Sequence, residues 1–345
     1  MTQIIRVLVI DDSAFVRKVM RQMLSRSPFV EVVGAARDGA EGLELVEQLA
    51  PDVVTLDLNM GVADGLTFLR KQMAIKPLPV IVVSMASKDG EQVIAALEAG
   101  AVDVVQKPTG LATDKIFEIA EELIRAVKAA AATPLRKTAP VIASAPTVAA
   151  PAIGKANSDI VVLGISTGGP QALKYLIPRL PATFPIPLAI VLHMPIGYTE
   201  LFAHSLNEAS SLEVVEARNG LVMRPGLVAL APAGYHLKLE RTQPDTVVAR
   251  LDLHPLDTPH RPAVDVLFRS AADVFGERTF GIVMTGMGAD GTAGAAWIKA
   301  KGGRVFTEAE DSCVVYGMPR SVVEAGLSDR SVALAEMPGA ILEAI

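Results

Sequence analysis

Two sets of residues in this chain have the types and spacing to do chemistry, and the first is acidic. Asp11 and Asp12 follow an apolar run at 7–10, and Asp57 follows one at 53–56. Ser84 follows the run at 80–83, and Lys107 with Pro108 follows that at 102–105. Carboxylates brought together repel one another, and a hard divalent cation such as Mg²⁺ relieves the repulsion with oxygen ligands. A carboxylate beside such an ion can attack a phosphoryl group, with Lys107 and Ser84 stabilising the product phosphate. One aspartate alone would serve as well as a helix cap or turn residue. The whole set, at the ends of successive runs, favours a site.

The second set is a serine, a histidine and an aspartate. Ser166 stands in Gly164-Ile165-Ser166-Thr167-Gly168-Gly169-Pro170, directly after the apolar run 160–165. This G-x-S-x-G pattern can expose a hydroxyl on a tight strand-to-helix turn, although such a turn serves equally as a phosphate loop or a packing corner. A serine nucleophile needs a base, and the base needs an orienting acid. Of five histidines, His193 ends an apolar run, whereas His204 falls in a helical stretch and His254 and His260 fall in loop sequence. His236 is harder to dismiss. The acid candidate is Asp290 in Thr285-Gly286-Met287-Gly288-Ala289-Asp290-Gly291, where the glycines can aim amides at a developing oxyanion. Its other reading is a cap on the helix it precedes. The order Ser–His–Asp differs from the Ser–Asp–His of α/β-hydrolases, so the topology must differ too.

The elements that must position these residues follow from periodicity. Five short β-branched runs alternate with helical stretches before residue 129, and Val16, Val19, Met20, Met23 and Leu24 make one apolar helix stripe. Such alternation implies a parallel sheet covered on both faces, with ligands beyond the carboxyl ends of its strands. Residues 129–158 are dominated by Ala, Pro, Thr and Ser and read as a flexible linker. The runs at 160–165, 187–192 and 280–284 restart an α/β pattern. Between them, 214–253 reads as hairpins, so a mixed sheet is expected. The division is 1–128, 129–158 and 159–345.

Composition narrows the function. The 345 residues are 50% hydrophobic and 20% charged, enough for two sizeable cores. A single cysteine, Cys313, excludes an internal disulfide framework and a Cys-rich zinc site. No apolar run reaches the ~20 residues of a bilayer span, and no signal peptide is evident, so a cytoplasmic protein with no direct membrane insertion is expected. The net charge is −6, and residues 159–345 carry 15 basic against 20 acidic side chains, with no basic helix-turn-helix pattern. That argues against a nucleic-acid partner and a DNA-binding output.

Residues 4–126 resemble the receiver domain of two-component response regulators, through Val9-Ile10-Asp11-Asp12-Ser13, Leu56-Asp57-Leu58-Asn59-Met60, Asp64-Gly65, Ser84 and Lys107-Pro108. The resemblance implies a flavodoxin-like (βα)5 fold with Asp57 as the phosphorylated residue. It implies Mg²⁺ ligation by Asp12, Asp57 and the Asn59 carbonyl, with Asp11 adjacent. Lys107 would contact the phosphoryl group, and Ser84 would be the switch hydroxyl. Gly61 departs from the family's usual proline and widens the backbone choices of that loop.

Residues 159–345 resemble the doubly wound α/β catalytic domain of protein-glutamate methylesterases, the CheB family of bacterial chemotaxis. The resemblance rests on residues 164–170, His193-Met194-Pro195, Arg261-Pro262-Ala263-Val264-Asp265, residues 285–291 and Tyr316-Gly317-Met318-Pro319. It implies Ser166 as nucleophile, His193 as base and Asp290 as its orienting acid, with the Thr167 and Met287 amides forming the oxyanion region. It also implies hydrolysis of glutamyl methyl esters without a cofactor, and deamidation of receptor glutamines. The partners would be the cytoplasmic helices of methyl-accepting chemoreceptors and a chemotaxis histidine kinase, whose phosphorylation of the receiver relieves inhibition. Ala263 and Tyr316 depart from the family's common Ser and Trp. A non-catalytic adaptor on the same fold is the rival, and the intact Ser166, His193 and Asp290 argue against it.

Overall fold

A computed structural model describes residues 4–60, 65–84, 90–107, 113–131 and 157–345, in two compact units divided between residues 139 and 140. In the first unit strands and helices alternate: β1 (Ile5–Ile10), α1 (Ala14–Leu24), β2 (Val30–Ala36), α2 (Gly39–Leu49) and β3 (Val53–Leu56). They continue with α3 (Gly65–Ile75), β4 (Val80–Ser84), α4 (Gly90–Glu98), β5 (Asp103–Gln106) and α5 (Thr113–Ala131). The sheet is parallel throughout in the order β2-β1-β3-β4-β5. Its order reverses between β1 and β3, which opens a crevice at their carboxyl ends. The α1 stripe behaves as its spacing predicts, with Met20, Met23 and Leu24 buried.

Ser13 caps α1, its hydroxyl accepting from the Val16 amide at 3.4 Å. The cap therefore comes from neither Asp11 nor Asp12. α5 runs to Ala131 and buries Ala129 and Ala130, three residues into the stretch read as linker. Alanine is the strongest helix former, so the Ala-rich start of that stretch extends a helix that packing already holds. Gly61, Asp64, Pro108 and residues 132–156 lie outside the described residues.

The second unit begins β6 (Ile160–Ile165), α6 (Gly169–Leu176), β7 (Leu188–Leu192), α7 (Thr199–Glu208), β8 (Glu213–Glu216) and β9 (Leu227–Leu230). β10 (His236–Gln243) and β11 (Thr246–Asp252) follow, then α8 (Val264–Phe275), β12 (Thr279–Val283) and α9 (Thr292–Ala300). β13 (Arg304–Glu308), α10 (Met318–Glu324), β14 (Arg330–Val332) and α11 (Met337–Ala344) complete it. Seven strands form one sheet, β14-β13-β12-β6-β7-β9-β8.

That sheet is not mixed. All six of its pairings are parallel, and the one hairpin, β10–β11, forms a separate two-stranded sheet. The turn residues within 214–253 read as hairpins, but the segment between β8 and β9 returns the chain to the starting edge and pairs them in parallel. Turn residues mark where a chain bends, not which end of the sheet it re-enters. β6 is fully buried at all six positions, as a central parallel strand covered on both faces should be. At roughly 1.5–3 kcal/mol per buried aliphatic side chain, burial on both faces strongly favours the placement of β6 at the centre of the sheet.

Candidate active site

Three adjacent strands carry the second chemical set. Register sets Ile165 of β6 beside Leu192 of β7, and Val283 of β12 beside Gly164 of β6. Ser166 and His193 thus leave neighbouring strands side by side, and the His193 amide donates to the Ile165 carbonyl at 3.1 Å. The turn after Ser166 is tight: the Gly169 amide donates to the Ser166 carbonyl at 2.6 Å, and Gly168 starts α6 at φ +78°. On the other side Gly286 presses close, since a β-carbon there would lie 2.7 Å from Ser166 Cβ. The Ser166 amide donates to the Thr285 carbonyl at 2.9 Å, which ties the serine to the loop after β12.

His193 Nε2 donates to Asp290 Oδ2 at 2.9 Å. His193 Nδ1 is buried and has no hydrogen-bond partner among the described residues, Ser166 included. Topology explains which nitrogen meets the acid. β6 lies between β7 and β12, so the His193 side chain must cross the end of β6 to meet Asp290, and its distal nitrogen reaches farther than its proximal one. The His260 ring stacks on His193, with centroids 4.1 Å apart and planes at 22°. His260 lies in loop sequence, as read, yet it fixes the plane of the imidazole; its distance in sequence from His193 hid this.

Asp290 does not cap the helix it precedes. Its Oδ2 accepts from the Val264 amide at 2.8 Å and its Oδ1 from the Asp265 amide at 3.0 Å, so it caps α8 from another loop. The N-cap position of α8 is Ala263, which has no side-chain oxygen to offer. Burial by itself would raise the Asp290 carboxyl. The hydrogen bond and charge of His193, with the Asp265 and Val264 amides, more than offset it and hold the carboxyl below its ordinary range. Thr167 is buried and Met287 half-buried. The Met287 amide makes no hydrogen bond among the described residues, whereas that of Gly286 is engaged by Val315 at 3.0 Å.

Two further buried groups shape this edge. His236 is fully buried; its Nδ1 accepts from the Ala263 amide at 3.2 Å and its Nε2 meets the Pro255 carbonyl at 3.0 Å. Burial lowers its pKa, so it is a neutral structural histidine beneath α8. Glu308, at the end of β13, is also fully buried and accepts from the Thr285 amide at 2.9 Å and the Ser312 hydroxyl at 3.0 Å. Burial pushes its carboxyl up to about 7. Thr285 in turn donates from its hydroxyl to the Thr167 carbonyl at 3.0 Å, linking Glu308 to the turn that follows Ser166. A cleft of about 500 Å³ between α8 and α9, lined by Arg269, Trp297 and Asp265, contains neither Ser166 nor His193.

In the first unit the β1/β3 crevice holds the acidic set. Asp11, Asp12 and Asp57 offer carboxylate oxygens within 4.8 Å of one another. Lys107 Nζ lies 2.8 Å from Asp11 Oδ2 and 2.8 Å from Asp57 Oδ2. Burial raises the Asp57 carboxyl, Lys107 opposes the rise and Asp11 adds to it. Asp12 and Asn59 are exposed, and the Asn59 amide donates to Asp57 Oδ1 at 3.3 Å. Ser84 is fully buried at the end of β4, on the strand beside Asp57. Three hard oxygen donors at this spacing fit a divalent cation.

Protein-glutamate methylesterase/protein-glutamine glutaminase 5 of Myxococcus xanthus is 53% identical over 334 residues, covering 96% of each chain. The family profile described as CheB methylesterase matches residues 161–341. The chain belongs to the CheB methylesterase family. A response regulator receiver domain profile matches residues 7–121 of the same chain. The methylesterase/glutaminase of Halalkalibacterium halodurans is 42% identical, over 94% of this chain and 94% of its own. The crystal structure of the Thermotoga maritima CheB methylesterase catalytic domain is 41% identical, with a TM-score of 0.53, and covers 55% of this chain and 99% of its own. In this CheB chain the Ala263 departure falls at the helix start that Asp290 caps, and half-buried Tyr316 pairs with Gly286 in an isolated parallel bridge.

Proposed function

We propose that this CheB-family chain hydrolyses glutamyl methyl esters on the cytoplasmic helices of chemoreceptors, with Ser166, His193 and Asp290 as its triad. The Ser166 hydroxyl attacks the ester carbonyl while His193 Nδ1 takes its proton. Negative charge builds on the carbonyl oxygen, where the Thr167 and Met287 amides donate. The intermediate collapses as His193 returns the proton to the methoxide, and methanol leaves. Water, deprotonated by His193, then attacks the acyl-enzyme, and the serine leaves with that proton to give glutamate. A glutamine side chain follows the same path with ammonia as leaving group. Asp290 keeps its negative charge throughout and stabilises the imidazolium. The observation that carries this reading is His193 Nε2 on Asp290 at 2.9 Å, with a buried His193 Nδ1 that has no hydrogen-bond partner among the described residues.

The receiver supplies control. Asp57 accepts a phosphoryl group from a chemotaxis histidine kinase, with Lys107 and Ser84 contacting the product. Asp12, Asp57 and the Asn59 carbonyl, with Asp11 adjacent, would hold Mg²⁺, which would supply positive charge against the phosphoryl oxygens. The hydrolase needs no cofactor in this scheme. A cytoplasmic location accords with it, as among the described residues no helix is long and apolar enough to cross a membrane. Methanol release from methylated receptor membranes, with and without a small phosphodonor, tests both parts. Release that persists in Ser166→Ala would overturn the nucleophile assignment, and release indifferent to the phosphodonor would overturn the control.

A further inference from the structure

An aspartate that immediately precedes a helix has a strong local alternative. The N-cap of α9 is Gly291, and Asp290 stands one residue before it, where the unpaired amides and positive end of the helix attract a carboxylate. Turning onto those amides would pull Asp290 away from His193. Here the donors are already taken. Asp265 Oδ1 accepts from the Gly291 amide at 2.9 Å and the Gly294 amide at 2.7 Å. Each of two helices is thus capped by the aspartate that belongs to the other: Asp290 serves α8, and Asp265, in the first turn of α8, serves α9.

The exchange is built into the backbone. Neither helix has a side-chain cap at its own N-cap position, where Ala263 and Gly291 stand. Gly294 lets α9 come close enough, since a β-carbon there would lie 2.5 Å from Phe268 Cβ and 3.0 Å from Asp265 Cα. The Asp265 carboxylate makes its hydrogen bonds to α9 amides, and none joins it to Ser166 or His193 among the described residues.

We propose that Asp265 is a positioning residue of the triad: by occupying the α9 amides it leaves Asp290 with one stable arrangement, on α8 and His193. This rests on Asp290 orienting His193. The test measures methanol release by the full-length chain on methylated receptor membranes. Asp265→Ala is expected to lower kcat at least tenfold with KM within twofold, and Asp265→Asn, which keeps the acceptor oxygen, to recover most of the loss. The loss should vanish when Asp290→Asn is already present, because the two residues then act as one unit. Thermal melts of each variant keep unfolding separate from misplacement. A loss below twofold in Asp265→Ala overturns the proposal, as does a tenfold loss that persists on the Asp290→Asn background. An Asn variant no better than Ala overturns it too. Failure of the triad reading itself would show separately, as full activity in Asp290→Asn.

Discussion

Asp57 and Asp290 occupy corresponding places in their two units. Each follows a buried parallel strand at a point where sheet order reverses, and each is largely removed from water. Their carboxyls are nonetheless shifted in opposite directions, up for Asp57 and down for Asp290. Burial raises both, so the neighbours decide. Asp57 shares one ammonium, that of Lys107, with a second carboxylate, Asp11. Asp290 has no such competitor at hydrogen-bonding distance and receives two helix amides and an imidazole N–H. A crowded carboxylate is suited to receive a cation and a phosphoryl group. A saturated one is suited to stay ionised while an imidazole beside it gains and loses a proton.

Substitutions can break this contrast, the largest effect first. Ser166→Ala should cut kcat for methanol release by roughly 10⁶-fold and Asp290→Asn by roughly 10⁴-fold, which progress curves on methylated receptors would reveal. Asp57→Asn should remove the response to a phosphodonor while basal release stays within about twofold, since a carboxylate that only receives the signal has no part in the ester step. A basal loss resembling that of Asp290→Asn would erase the distinction between the sites.

Glu308 sharpens the contrast as a third buried carboxylate with only neutral donors. Its carboxyl sits at about 7 against an ordinary 4.5, so the folded state holds a proton that the unfolded state releases. Stability should therefore fall as pH rises from about 4.5 to about 7 and then level off. Glu308→Gln should raise the urea midpoint of the catalytic unit at pH 8 and leave it little changed near pH 5. Equal effects at both pH values would mean that ionisation of Glu308 is not the cause.

The parts legible in the sequence are those where chemistry and local pattern coincide. Apolar runs ending in Asp11, Asp57, Ser166 and His193 announce both the strand and the residue it delivers. The exchange of caps between Asp265 and Asp290 was not legible, because each residue, taken with its own neighbours, reads as an ordinary helix-start aspartate. The stacking of His260 on His193, and the burial of Glu308 behind Thr285, are likewise contacts between distant segments. The parallel pairing of β8 with β9 misled for the same reason: the turn residues between them report a bend and are silent about direction.

The sheet order also has a consequence for synthesis. β6 is made early, but its partner on one side, β12, leaves the ribosome only after β7 to β11 and α8. Until then β6 is an edge strand, apolar at every position, and it must be shielded from other chains. Asp290 emerges later still. A nascent or truncated chain can thus carry Ser166 and His193 without Asp290, and on the proposed triad hydrolysis would begin only once the central strand has been closed on both sides.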